Sequence, residues 1–188
     1  KYTIGATVFV AVVMFFTTLS EINLINDLEN SVPVTQDRID GNDVLQGLVS
    51  GLYLVAYVSS VVSVLLWLKA AYSNLPIIGA VLASWTPRWA VGWWFIPIAN
   101  LFKPYQVMRE LWWGSYTDGN RSQDSRNVWP LLGWFWSAHL VSNWLGWISF
   151  RTGTDDIASI QTGDYIWLVE SVIFVFAGIL LFLFVDKV

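Results

Sequence analysis

A histidine and a glutamate standing inside otherwise uncharged, apolar runs are the residues of this sequence best placed to do chemistry. His139 lies in the run 127–150, twelve residues from Asn127 and from Arg151, and Glu170 interrupts the run 165–185. An ionisable group in an apolar helix marks a ligand path, a proton relay or a polar clasp between helices. Asn143 follows His139 by one helical turn and adds an amide to the same face, together with Trp136, Gly146 and Trp147. A more polar group, Asn100, Lys103, Gln106, Arg109 and Glu110, falls within residues 89–115 (WAVGWWFIPIANLFKPYQVMRELWWGS). Two cations beside the Trp93–Trp94 pair form a donor set for a lipid headgroup or small anion. The plainer readings stand beside these. His139, Asn143 and Glu170 serve equally as hydrogen-bonding glue, and the polar residues of 89–115 as the wet edge of an interfacial anchor.

Several chemistries are excluded outright. The chain has no cysteine, which removes disulfides, thiolate metal sites and cysteine catalysis, and its single histidine leaves no pair for a bis-histidine centre. Neither a GxSxG nucleophile turn nor an HExxH zinc motif occurs. The net charge is −4, with the acids concentrated in two segments, which argues against a nucleic-acid surface. The sequence therefore leans away from an enzyme and names no cofactor. Axial ligation of a pigment or haem by His139 remains an alternative.

The elements that must hold these residues are helices in a bilayer. Of 188 residues, 55% are hydrophobic and 13% charged, against about 25% charged in soluble domains. Apolar runs long enough to cross about 30 Å of hydrocarbon fall at about 2–20, 44–68, 127–150 and 165–185. The polar, acidic segments 26–43 and 151–164 read as outer loops, and residues 74–115 as a Trp- and Pro-rich re-entrant or interfacial element. The chain starts at Lys1 rather than Met, and the first run also has the make-up of a processed leader. Charge chooses the topology. With both termini cytoplasmic and the central element entering and leaving on one side, Lys1, Lys69, Arg88, Lys103, Arg109, Arg121, Arg126 and Lys187 lie inside and only Arg38 and Arg151 outside. A fifth crossing erases that bias. The expected architecture is a single all-α integral membrane domain, 1–188, of four transmembrane helices plus the central element.

Inside that element, Pro97 breaks the apolar run 89–102, and Pro104 suits the first turn of a helix. From Tyr105 onward, Val107, Met108, Leu111 and Trp112 share one arc with Tyr105, while Gln106, Arg109, Glu110 and Trp113 share another. The pattern predicts an amphipathic interfacial helix, with Arg109 stacking on Trp113 and Gln106 bonding Glu110 one turn away. Gly47 and Gly51 form a GxxxG that permits close helix approach.

The run WAVGWWFIPIANLFKPYQVMRELW, preceded by Ser-Asn-Leu-Pro and followed by a tryptophan-rich span, resembles the signature of an uncharacterised bacterial membrane family, a domain of unknown function (number 4328), over residues 56–188. The resemblance implies a bacterial cytoplasmic-membrane protein of several helices and brings no activity, cofactor or functional residue. Segment 26–43 and His139 lie outside the recognised pattern. Abundant aromatic helix faces without a catalytic motif point first to a non-enzymatic accessory or scaffolding subunit. Such a subunit packs in a larger membrane complex, a bioenergetic one among the candidates, or as a homo-oligomer, with the lipid bilayer as its constant partner. Lipid or small-molecule binding or transport through the broken central element is the alternative.

Overall fold

The structure, a computed structural model, describes residues 1–77, 83–115, 130–152 and 156–188. Six α-helices make up the described residues, with no strand among them: α1 (Tyr2–Glu29), α2 (Gln36–Asn74), α3 (Pro87–Gly92), α4 (Lys103–Ser115), α5 (Pro130–Arg151) and α6 (Ile157–Lys187). Two short 3-10 turns, Trp93–Phe95 and Ala99–Leu101, join α3 to α4. Arg121, Arg126 and the opening residues 127–129 of the expected third span lie outside the described residues.

Helices α1, α2 and α6 are long and apolar enough to cross a membrane. At 22 residues α5 has the length, but four tryptophans, His139 and Asn143 lower its hydropathy, and it does not join the three.

The helices overrun the expected loops. Helix α1 continues to Glu29 and closes in a Schellman turn: Ser31 takes the left-handed conformation (φ 57°), Ser31 N–H donates to Leu28 O and Val32 N–H to Asp27 O. Helix α2 starts at Gln36, so only a short link around Pro33 is non-helical. Its first turns are polar yet held in register, since Gln36 donates to Asp40 (2.8 Å) and Arg38 pairs with Asp27 (2.7 Å). Polarity marks solvent; it does not forbid a helix. At 39 residues α2 is about 58 Å long, well beyond one hydrocarbon thickness. Likewise α6 begins at Ile157, capped by Asp156, whose carboxylate accepts from Ser159 N–H (2.7 Å). Ser159, through its side chain first and its backbone second, holds the Asp156 carboxyl below the usual carboxylate range.

The long helices pack in the order α2, α1, α6, α5, each antiparallel to the next. Thr7 Oγ1 donates to Ala56 O (2.9 Å) and Gln46 Nε2 to Thr17 O (3.0 Å) across α1 and α2. Lys1 pairs with Asp186, and Gln161 Nε2 donates to Asn26 Oδ1 (2.8 Å), joining opposite ends of α1 and α6. A Cβ built on Gly178 would meet Val8 Cγ2 at 2.5 Å, so this glycine sets the α1–α6 approach. Gly47 and Gly51 have nothing within 4 Å of such a Cβ, so among the described residues the GxxxG packs no helix.

The core sits at the end of the bundle that holds both chain ends. Leu68 and Tyr72 of α2, Val107, Met108 and Leu111 of α4, Leu132 of α5 and Phe184 of α6 are almost fully buried there. The apolar arc of α4 faces this protein core (Val107 0%, Met108 2%, Leu111 1% exposed) rather than lying free as an anchor. Both ends of the central stretch meet at one side chain: Trp85 N–H donates to the Tyr72 hydroxyl (3.2 Å), which donates to Glu110 (2.6 Å). The stretch thus leaves and returns at the same end of the bundle.

Candidate functional site

Because α2 and α5 stand at the two ends of the helix row, side chains rather than close backbones fill the space between them. What is left is a cavity of about 470 Å³. Helix α2 supplies Tyr53, Tyr57 and Ser60, and α1 supplies Thr7. Helix α5 supplies His139, Ser142 and Asn143, one turn or less apart, and α6 supplies Glu170 and Phe174. The central stretch closes it with Trp94, Phe95 and Asn100.

Glu170 stands near the middle of α6 and is 8% exposed. Its Oε1 accepts a short hydrogen bond from the Ser142 hydroxyl, and Oε2 accepts none among the described residues. His139 packs on Phe135 (5.8 Å, stacked), Trp136 (5.3 Å) and Trp94 (6.0 Å). Asn143 Nδ2 donates to His139 O (2.6 Å) and lies 3.2 Å from His139 Nδ1. Trp94 and Asn100 also line the cavity, but Trp94 Nε1 and Asn100 Oδ1 are themselves buried and make no hydrogen bond among the described residues, as is also true of Trp85 Nε1, Trp93 Nε1, Arg109 Nε and Asp164 Oδ2 away from it. The Trp136 indole pins the second 3-10 turn beside them by donating to Leu101 O (3.0 Å).

Asn100, His139, Asn143 and Glu170 therefore come together, joining two groups that stood apart in the sequence. Trp147, expected on their face, is 54% exposed and stacks under Arg151 (4.3 Å). The remaining four candidates form a separate cluster toward the chain ends. Glu110 accepts from Tyr72 and from Ser84 N–H (3.2 Å), and not from Gln106. Gln106 accepts from Lys103 (3.2 Å), whose ammonium lies 4.4 Å above the Trp85 ring. Arg109 stacks on Trp113 (4.8 Å), as their spacing predicts. Tyr53, Tyr57 and Ser142 were not singled out from sequence. A serine or tyrosine in a spanning run carries no signal until its partner, here 28 residues on for Ser142, is known.

The sequence matches the family described as Domain of unknown function (DUF4328) over residues 30–188, most of the chain. The chain belongs to the DUF4328 family. The match begins at Asn30 rather than near residue 56, so it takes in part of segment 26–43, all of α2 and His139. No curated protein and no solved structure matches the chain. In this DUF4328 protein every cavity residue except those of α1 falls inside the matched range.

Proposed function

We propose that this DUF4328 protein is a non-enzymatic bacterial inner-membrane protein that binds a small, largely apolar molecule inside its helix bundle. The carrying observation is the cavity of about 470 Å³ with the buried Glu170 carboxyl on its wall, one oxygen of which accepts no hydrogen bond among the described residues. Its size and its mainly apolar lining with a few converging polar groups are those of small-molecule sites, which run to about 300–1,000 Å³. In this reading α5 is the fourth crossing, its polar face turned inward, and the central stretch is a re-entrant wall. The Lys1–Asp186 pair supports both termini on one side, and the lysine and arginine distribution makes that side cytoplasmic.

Accessory packing in a larger membrane complex has its own support in the apolar outer face of α2, where Leu48, Leu52, Val55 and Leu66 are all more than 60% exposed. Lipid covers such a face as well as a partner helix does, so the cavity takes precedence. For pigment or haem ligation by His139, support stops at its place on the cavity wall. Native mass spectrometry of protein released from the membrane tests the reading. The wild type should retain a non-covalent small-molecule adduct, and Ser60→Phe or Ala177→Phe, which fill the cavity, should lose it at unchanged helical content. A wild type without an adduct, or filled variants that keep it, contradicts the reading.

A further inference from the structure

The cavity holds a single group able to carry a negative charge. Glu170 is the one acid among its lining residues, and neither lysine nor arginine is among them. The nearby cations of the central stretch are occupied elsewhere, Lys103 over Trp85 and Arg109 over Trp113. His139 sits within its aromatic packing and makes no hydrogen bond to Glu170. One carboxylate oxygen is held by Ser142, and the other accepts no hydrogen bond among the described residues.

Beside that carboxylate stand three rings. Tyr53 and Tyr57, one turn apart on α2, are stacked at 6.1 Å, and Phe174, one turn beyond Glu170 on α6, meets them at 5.8 and 6.1 Å. All three line the cavity. Aromatic faces attract cations, most strongly where water is excluded, and quaternary ammonium groups are the organic cations such rings recognise. A bare metal ion is poorly served here. It needs several oxygen or nitrogen ligands, and no group of three His, Cys, Asp or Glu able to hold one occurs among the described residues. Val61, Val64, Leu65 and Leu181 add an aliphatic stretch of wall.

We infer that the cavity takes an organic ammonium ion, its charged head between the Glu170 carboxylate and the Tyr53, Tyr57 and Phe174 rings and its apolar substituent along the aliphatic wall. The inference rests on the small-molecule reading above and adds the chemistry of the occupant.

Equilibrium dialysis of the full chain in lipid nanodiscs, corrected with empty nanodiscs, compares benzyltrimethylammonium with neopentylbenzene, the neutral molecule of the same shape with carbon in place of nitrogen. The ammonium should bind saturably and at least about tenfold tighter than its neutral twin. Glu170→Gln should abolish that preference and Glu170→Asp should retain part of it. If Glu170→Gln does not assemble, Tyr57→Leu and Phe174→Leu carry the same test, each reducing the preference several-fold. Equal binding of the two molecules, or a preference untouched by these variants, overturns the ammonium assignment and leaves the cavity reading standing. Binding of neither overturns both.

Discussion

Two glutamates in this protein sit in opposite circumstances. Glu110 accepts hydrogen bonds from Tyr72 and Ser84, amid a core in which Leu68, Met108 and Leu111 are almost fully buried. Glu170 has one bond, from Ser142, and faces a cavity. Each has one oxygen that accepts no hydrogen bond among the described residues; what differs is that Glu110 is half-buried and ties two segments of the chain together, whereas Glu170 is buried beside empty space, where a ligand can reach it. The end of the bundle that carries the chain ends is thus structural, and the middle is where binding is expected.

That contrast is exposed to mutation. Glu110→Ala leaves the buried Tyr72 hydroxyl without its acceptor, while the exposed Ser84 N–H turns to water, and should cost about 1–3 kcal/mol of stability, measured by unfolding in mixed micelles. A loss no larger than that of Glu170→Gln would erase the distinction between the two regions. Gly178→Ala places a methyl against Val8 and should cost about 1–3 kcal/mol by prising α1 from α6. Gly47→Ala, with open space around it, should be neutral or stabilising by up to about 1 kcal/mol. Trp136→Phe removes the donor to Leu101 O and should cost about 1 kcal/mol, loosening the turn that presents Asn100. Smallest of all, Glu170→Gln still accepts from Ser142 and should change stability by less than about 1 kcal/mol while altering what the protein binds.

Local features were legible in the sequence because they are written in short-range periodicity. The 3.6-residue period separated Val107, Met108, Leu111 and Trp112 from Arg109 and Glu110, and the four-residue spacing of Arg109 and Trp113 gave their stacking. The tryptophan- and proline-rich run was distinctive enough to carry the family. Segments 26–43 and 151–164 read as loops because of their acidic residues, yet α1 runs to Glu29, α2 begins at Gln36, α5 ends at Arg151 and α6 begins at Ile157. Long-range pairings carried no signal. Nothing near Glu110 announces Tyr72, 38 residues away, and nothing near Gly178 announces Val8. The cavity is the clearest case: it exists because α2 and α5 do not adjoin, a property of the whole helix order and of no single segment.

The absence of cysteine from this chain makes the central claim directly measurable. Single cysteines at Asn100 and Ser60, on the cavity wall, are to be compared with cysteines at Met108 and Leu111, in the packed core, by their rate of modification with a small methanethiosulfonate reagent in nanodiscs. Thiolates form and react only where the site is open. The account predicts rapid modification of Asn100→Cys and Ser60→Cys, suppressed when Ala177→Phe is added, and none of Met108→Cys or Leu111→Cys. Equal rates at all four positions, or cavity cysteines as inert as core ones, would contradict it.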